Sequence, residues 1–394
     1  MSDFRRLEKE LFIGRGATIG TKGRYGELEP DDIRLDFQRD VHRIIYSQAF
    51  RRLRHKAQVF HFPRNDHVTT RMGHVLFVAF AARTIARSLR LNEDLAEAVG
   101  LAHDIGHAPF GHQGEIFLTG IVEEIIKDNS NFKKNMPVFH HEVHGLRVVD
   151  KLAKLDREIP GLNLTWEVRD GIISHCGEDF GTCKIEPGDK NKNLEAIRRR
   201  EEAGNPATLE GCIVRLIDKV AYCGKDIEDA IEVNIIKKSE IPPGIDKELG
   251  SNNGQIIGTF VKDMIKNSYK RDYISISQER CDLLHNMIKF NNKHIYHSEK
   301  AEKYAQQAEQ DIKLLFDKLL EKLQTTRRFE SCDEDEQDEY NVYKVFHRFV
   351  YEDMKSIYDD SVPDELIVLD FIAGMTDGFV LRSFKELFIP QATV

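Results

Sequence analysis

The chain has 394 residues, of which 41% are hydrophobic and 31% are charged, a composition typical of a globular protein with a large apolar core. No run of about eighteen apolar residues occurs, so the sequence predicts no membrane-spanning helix. The formal net charge of −9 argues against a protein that coats nucleic acid. Because the six cysteines show no CxxC spacing and the N-terminus lacks the apolar stretch of a signal peptide, we expect a cytoplasmic protein without a disulfide framework.

Hydrophobic residues recur every three or four positions through most of the chain, which predicts helices. The first long helix covers 68–90, where Thr69 or Thr70 can act as the N-cap, and the next begins after Asn92 and ends at Gly106. Pro109 then forces a loop before a helix that starts near His112 or Gln113. Further helices are predicted for 209–232, 259–268, 298–324 and 364–388, with loops at 177–193 and 237–254. We therefore expect an all-α fold, with at most a short hairpin in one of these loops.

Positive charge is concentrated in segment 39–56, where apolar residues lie between the cations. Such a segment can pack against a core and still offer cations to a polyanionic ligand. The acidic run 331–340 is typical of solvated surface.

The stretch LAHDIGHAPFGHQGE (101–115) places three histidines, an aspartate and a glutamate within fifteen residues. His103 and Asp104 are adjacent near the end of an otherwise apolar helix, and a carboxylate in such surroundings needs a partner or a cation. Two ligands do not hold a divalent ion, so further donors are expected from other helices. His74 is one candidate, and Asp218, on a polar stripe beside the apolar face of helix 209–232, is another. Two imidazoles and two carboxylates suit Mn, Fe, Co, Ni, Mg or Zn, and the sequence does not choose among them.

This H…HD…D pattern resembles that of the HD-domain metal-dependent phosphohydrolases, and the chain resembles their deoxyguanosine triphosphate triphosphohydrolase branch. Five sequence blocks in the same order carry the resemblance, at 50–60, 65–79, 101–115, 206–222 and 371–388. The resemblance implies that His74, His103, Asp104 and Asp218 bind the metal. It also implies that His112 and Glu115 form a catalytic pair, because their i, i+3 spacing lets the carboxylate orient the imidazole.

A substrate-binding set is implied by the same resemblance. Its members match residues that recognise the deoxyribose, a phosphate or the face of the sugar: Gln58 and Val59, Arg71, and Tyr222 with Asp226. Segment 39–56 is our candidate source of further phosphate-binding cations. The residues alone leave open whether His140, His141, His144 and His175 line the cleft or the surface, whereas Trp166 and Cys176 are predicted to pack.

The fold implied by the resemblance is an HD-domain helical bundle with additional C-terminal helices. We divide the chain into an N-terminal segment with the basic and sugar-recognition helix (1–65), an HD metal-phosphohydrolase core (66–235) and a C-terminal helical region packed on the core (236–394). The implied reaction is metal-dependent hydrolysis of dGTP, or of a broader set of deoxynucleoside triphosphates, to deoxynucleoside and inorganic triphosphate. Manganese and magnesium are among the candidate ions.

The implied assembly is a homo-oligomer, a tetramer or a hexamer, to which an activating nucleotide or single-stranded nucleic acid could also bind. Two alternatives stay open. The first is another HD phosphohydrolase, acting on a nucleoside monophosphate, a cyclic nucleotide or a guanosine polyphosphate. The second is a nucleotide-sensing or single-strand-binding oligomer whose HD site is vestigial.

Overall fold

Helices make up most of the chain in the computed structural model, which describes residues 9–27, 33–59, 68–128, 138–155, 160–177, 182–242, 252–329, 340–359 and 361–390. The all-α prediction is confirmed. Within the described ranges, the sheet structure is limited to two antiparallel two-residue strands, β1 (Lys184–Ile185) and β2 (Ile274–Ser275). β1 lies in the loop for which a hairpin was predicted, but its partner strand comes from a distant part of the chain.

The first half of the chain contains α1 (Asp36–Tyr46), α2 (Gln48–Arg52), α3 (Arg71–Leu89), α4 (Glu93–Ala102), α5 (Gly111–Asp128), α6 (His141–Arg147) and α7 (Trp166–Ile173). The second half contains α8 (Arg200–Ala203), α9 (Leu209–Glu232), α10 (Asn253–Ser268), α11 (Gln278–Asn291), α12 (Glu299–Phe329), α13 (Asn341–His347), α14 (Asp364–Gly374) and α15 (Asp377–Phe388). Short 3₁₀ and π turns, such as Leu53–His55 and Asn292–Tyr296, extend or connect several of them.

Side-chain caps explain where the central helices begin. The hydroxyl of Thr70 accepts a hydrogen bond from the N–H of Gly73, and the Asn92 side chain accepts one from Leu95. Both caps are as the sequence predicts, and α9 has the predicted bounds. α4 ends at Ala102, earlier than the predicted stop at Gly106, so that His103 and Asp104 lie in the turn that follows the helix.

The apolar faces of α3, α4 and α9 pack together and form the centre of the core. Val78 and Ile85 of α3, Leu95 of α4, and Ile213 and Val220 of α9 are fully buried. Burying one such side chain stabilises the fold by roughly 1.5–3 kcal/mol. His103 and Asp104 come directly after α4 in the sequence, so the packed core fixes their positions.

The predicted C-terminal helix 364–388 is broken into two. α14 ends at Gly374, and the side chain of Thr376 caps α15 by accepting from the N–H of Phe379. A threonine at this position competes for backbone hydrogen bonds and so favours a new N-terminus over a continuous helix. The break places Asp377 at the first position of α15.

A disulfide joins Cys183, beside β1, to Cys281 of α11. The cysteine spacing did not predict this pair. None of the described helices combines the length and the apolar character needed to cross a bilayer.

Candidate metal centre and adjoining pocket

The four predicted metal ligands converge, although separate helices supply them. The Nε2 atom of His74 lies 2.8 Å from Asp218 Oδ1 and 3.8 Å from Asp104 Oδ2. The Nε2 atom of His103 lies 3.5 Å from the same Asp218 oxygen and 3.6 Å from Asp104 Oδ1. Two nitrogens and two carboxylates therefore face one small buried volume.

The hydrogen bonding of His103 fits a cation in this volume. Its Nδ1 lies 2.8 Å from the carbonyl oxygen of Gly100, and because a carbonyl only accepts, Nδ1–H donates; in the neutral ring Nε2 therefore carries the lone pair. This Nε2 is buried and has no hydrogen-bond partner among the described residues. Burial alone would lower the pKa of His103, but Asp104 and Asp218 raise it to about 9, so a positive charge at Nε2, a proton or a metal ion, is favoured. The donor set of imidazoles and carboxylates is one that divalent transition ions accept.

Asp104 is held in its ionised form by the Arg71 guanidinium and by the imidazole of His107. Arg71 Nη1 donates to Asp104 Oδ2 over 2.6 Å, and His107 Nε2 lies 3.0 Å from Asp104 Oδ1. Burial alone would raise the pKa of this carboxyl, but His107 and Arg71 together hold the pKa well below its usual range. Arg71, predicted to bind phosphate, thus also orients a candidate metal ligand.

The prediction pairs Glu115 with His112, but the structure shows no hydrogen bond between these two described residues. His141 Nδ1 lies 2.6 Å from the Glu115 carboxylate, Arg200 Nη2 lies 2.7 Å from it, and His140 Nδ1 lies 3.6 Å from it. α5 begins only at Gly111, so His112 lies in its first turn, where the imidazole is exposed on the pocket wall. The carboxylate is thus held by donors that reach it from α8 and from the start of α6.

Three residues for which the sequence predicts no definite role in the site lie at this centre: His141, His175 and Cys176. His141 stacks on His107 with 3.7 Å between ring centroids, and His175 Nε2 lies 3.9 Å from Asp104 Oδ1. Cys176 is partly exposed and lines the adjoining pocket. Arg200 was not singled out by any sequence pattern. His144 points elsewhere and lies 3.6 Å from Asp370.

Gly106 lies in the turn after the His-Asp pair and allows α6 to pack closely against this turn. A Cβ on Gly106 would lie 2.2 Å from both the carbonyl oxygen of His141 and the N–H nitrogen of Gly145. Only a residue without a side chain permits this approach. The sequence shows this glycine but does not reveal that α6 packs against it.

A pocket of about 690 Å³ opens beside the four donors. All five predicted substrate residues line it, together with His112 and three of the four candidate metal ligands: Gln58, Val59, Arg71, Tyr222, Asp226, His112, His74, Asp104 and Asp218. His103 and Glu115 are buried and are not among the lining residues. The pocket therefore brings the predicted substrate set together around the metal centre.

We expected the basic segment to supply cations to this pocket, but in the described part of the chain it does not. Residues 39–56 contribute no lining side chain, and the cations that line the pocket among the described residues are Arg71, Arg200 and Lys300. Lys56 is buried instead, and its side-chain amine donates to the carbonyl oxygens of His107 and Ala373. These hydrogen bonds stabilise the loop after the His-Asp pair, so the amine is not free for a ligand.

Asp377, at the start of α15, holds two backbone segments that border the pocket. Its carboxylate accepts hydrogen bonds from the N–H of Ala57 at 2.8 Å and of Phe110 at 2.9 Å. Ala57 precedes Gln58, and Phe110 precedes Gly111 and His112. Phe110 has a φ of +63°, a left-handed conformation that a residue with a Cβ adopts only when its surroundings hold it. Asp377 is therefore a positioning residue for both walls of the pocket.

Replacing Asp377 with alanine is expected to lower the free energy of unfolding by about 3 kcal/mol, because two buried N–H groups lose their acceptor. Turnover should fall as well, since Gln58 and His112 lose their support. Denaturant unfolding and steady-state kinetics measure the two effects. The exposed Asp317 of α12 provides the matched control, and equal behaviour of Asp377→Ala and Asp317→Ala would refute the positioning role.

The chain is similar in sequence to known proteins throughout this region. The sequence profile of the HD domain matches residues 71–223, which include all four converging ligands. A deoxyguanosinetriphosphate triphosphohydrolase-like protein of Caldanaerobacter subterraneus subsp. tengcongensis is 38% identical over 94% of this chain and 90% of its own length. Proteins with the same name from Desulfatibacillum aliphaticivorans and Clostridium tetani are 35% and 32% identical, over 95% and 98% of this chain and 93% and 96% of their own lengths.

The helical bundle and the His, His-Asp and Asp donors thus define an HD-domain protein. Since its relatives match over nearly their whole length at more than 30% identity, the chain belongs to the family of deoxyguanosinetriphosphate triphosphohydrolase-like proteins.

Proposed function

We propose that the chain is a metal-dependent hydrolase of deoxynucleoside triphosphates that releases a deoxynucleoside and inorganic triphosphate. The observation that carries the proposal is the buried, unpartnered Nε2 of His103, which faces Asp104 and Asp218. These two carboxylates line a pocket large enough for a nucleotide. The printed names of the relatives support the same substrate class.

In this proposal His74, His103, Asp104 and Asp218 hold one divalent cation. When bound, such an ion supplies Lewis acidity toward a phosphate oxygen and makes water a better nucleophile near neutral pH. Arg71, whose guanidinium donates to Asp104 and to the carbonyl oxygen of Gln58, lines the pocket beside these four residues.

The remaining charge of the substrate is balanced by side chains of the pocket wall. Arg71, Arg200 and Lys300 are the cations available to the triphosphate. Water attacks the α-phosphorus, and the bond between that phosphorus and the nucleoside 5′-oxygen breaks. His112, exposed on the wall, gives a proton to the departing oxygen. Glu115 acts on the neighbouring imidazole of His141 and fixes its Nδ1–H.

Recognition of the deoxyribose is assigned to Gln58 and Val59 on one wall and to Tyr222 and Asp226 on the other. The Oε1 atom of Gln58 is buried and has no partner among the described residues, so it is available to a sugar hydroxyl. Val59 is apolar and cannot form a hydrogen bond with a 2′-hydroxyl. A ribonucleotide would lose the hydrogen bonds of this hydroxyl to water without replacing them. Tyr296, from the π turn after α11, donates its hydroxyl proton to Asp226 over 2.5 Å.

Substrate binding should depend on the charge of Asp226. Burial raises the pKa of this carboxyl to about 7, so it is neutral below that pH and an anion above it. The anion is the better acceptor for a sugar hydroxyl, and a hydrogen bond to a charged group contributes roughly 1.5–3 kcal/mol. We therefore expect the KM for the deoxynucleotide to fall by about tenfold as the pH rises from 6 to 8.

The variant Asp226→Asn cannot ionise, so its KM should stay level across the same range. Parallel pH profiles of the two proteins would show that another group controls binding.

Product analysis tests the proposed reaction. The purified protein is incubated with each of the four deoxynucleoside triphosphates and Mn²⁺, Mg²⁺ or Co²⁺, and the products are separated by ion exchange. The proposal predicts equal amounts of deoxynucleoside and inorganic triphosphate, with the matching ribonucleotide as a poorer substrate. Release of pyrophosphate or of single phosphates would instead indicate a different phosphohydrolase, and no turnover with any ion would favour a nucleotide sensor.

A further inference from the structure

The disulfide between Cys183 and Cys281 is the single covalent cross-link among the residues that the structure describes. The two cysteines are 98 positions apart in the sequence, so the cross-link closes a loop that contains α8, α9 and α10. The other three cysteines of the described ranges are free thiols. A chain with a core of this size does not depend on cross-links in the way that small disulfide-rich domains do, so this one calls for another role.

The secondary structure at the cross-link is too short to hold itself together. β1 and β2 pair through two residues each, and one further backbone hydrogen bond runs from the N–H of Ile276 to the carbonyl oxygen of Cys183. An isolated pair of even longer strands is only marginally stable in water. The disulfide therefore fixes the position of β1 against the first turn of α11, which contains Cys281.

α11 connects this cross-link to the substrate pocket. Ile288, about 10 Å further along the helix than Cys281, lines the pocket, as do Asn292 and Tyr296 of the following π turn. The Tyr296 hydroxyl donates to the Asp226 carboxylate over 2.5 Å and so joins the end of α11 to α9. A displacement of the first turn of α11 therefore changes the wall that faces the proposed sugar-binding residues.

The two cysteines differ in their access to solvent. Cys183 is partly exposed, whereas Cys281 is only 4% exposed. A thiolate from solution therefore reaches the sulfur of Cys183 first. Exposed disulfides are the ones that exchange readily with small thiols, which favours a reversible link over a permanent one.

We propose that the Cys183–Cys281 disulfide is a reversible switch, which holds the α11 wall of the pocket in place when oxidised and loosens it when reduced. The reductant is a small thiol such as glutathione. Its thiolate attacks the sulfur of Cys183, the bond between the two protein sulfurs breaks, and Cys281 leaves as a thiolate that takes up a proton. A second thiolate attacks the mixed disulfide, releasing oxidised glutathione and the Cys183 thiolate, which is protonated in turn. Oxidised glutathione reverses both steps.

The switch acts on the pocket wall, so its expected effect on catalysis is on KM. The loss of one hydrogen bond to a charged group, that of Tyr296 to Asp226, corresponds to about a tenfold rise in KM. The expected change in KM rests on the proposed function, whereas the expected change in α11 does not.

The test uses the full-length protein, purified without reductant and equilibrated at a series of ratios of reduced to oxidised glutathione. Acid quenching, alkylation of the free thiols and mass spectrometry of the peptides give the fraction of the disulfide at each ratio. The pair should change from oxidised to reduced within the series. In the reduced protein, the backbone amides of α11 and of Asn292–Tyr296 should exchange hydrogen at least about tenfold faster, and the KM for dGTP should rise by about tenfold.

Cys281→Ser should show the exchange rates and the KM of the reduced protein at every ratio. Cys212→Ser, a change at a buried free cysteine, should respond as the wild-type protein does. The titration of the wild-type protein decides the question even if a variant does not fold.

A pair that stays oxidised, or stays reduced, at every ratio would overturn the switch. A pair that converts without a change in the exchange of α11, or without a change in the KM of an active enzyme, is equally decisive against it, because the disulfide is then only a structural link. If α11 responds but neither form hydrolyses any deoxynucleoside triphosphate, the proposed function fails and the switch stands.

Discussion

The variant Asp218→Asn is expected to lose its divalent cation and about a thousandfold in turnover. Asp218 Oδ1 is the oxygen closest to both His74 Nε2 and His103 Nε2, at 2.8 Å and 3.5 Å. An amide keeps the shape of the side chain but removes the negative charge that offsets a divalent ion. Lewis acidity from such an ion is worth several kcal/mol in the transition state, and each 1.4 kcal/mol corresponds to tenfold in rate.

Metal analysis of the dialysed protein and steady-state kinetics measure the two effects together. Asp229→Asn is the matched control, because Asp229 is a buried carboxylate of the same helix that accepts from the N–H of Thr69 and does not line the pocket. It should keep both metal and turnover. If Asp218→Asn kept its ion and its rate, the assignment of the metal centre would be wrong.

His112→Ala is expected to keep the cation while turnover falls by about 10²- to 10⁴-fold, the usual contribution of a general acid. His112 lies on the pocket wall and is not one of the candidate metal ligands. The ring opens to the pocket, but the protein around it removes part of its hydration and lowers its pKa below the usual value, so its protonated form is a stronger acid toward a departing oxygen. Metal content and turnover should therefore separate in this variant, unlike in Asp218→Asn.

A substrate with a better leaving group isolates the proton transfer. A nitrophenyl triphosphate releases an oxygen that needs no proton near neutral pH, so His112→Ala should hydrolyse it nearly as fast as the wild-type protein. His297→Ala, a change at an exposed histidine, should be normal with both substrates. An equal defect with both substrates would show that His112 acts in another way.

The sequence was sufficient for the elements whose signals are local. Periodicity and caps placed α3 and α9 closely, and the His-Asp pair pointed to the centre on which His74 and Asp218 converge. Contacts that depend on tertiary packing were not predictable. Glu115 is bonded to His141 of α6 and Arg200 of α8, and no local pattern reveals which donor reaches a buried carboxylate.

The origin of the pocket cations shows the same limit. Segment 39–56 has the composition of an anion-binding region, yet its Lys56 is buried against backbone carbonyls. Arg200, from the four-residue helix α8, and Lys300, from α12, line the pocket instead. Their positions follow from how α8 and α12 pack, which composition does not encode.

Anomalous diffraction from crystals grown with Mn²⁺, recorded at the manganese absorption edge, most directly tests whether one ion links these helices. We predict a single strong peak within about 2.2 Å of His74 Nε2, His103 Nε2 and one oxygen each of Asp104 and Asp218. A peak bound to other side chains, or no peak at saturating Mn²⁺, would contradict the assignment of this centre.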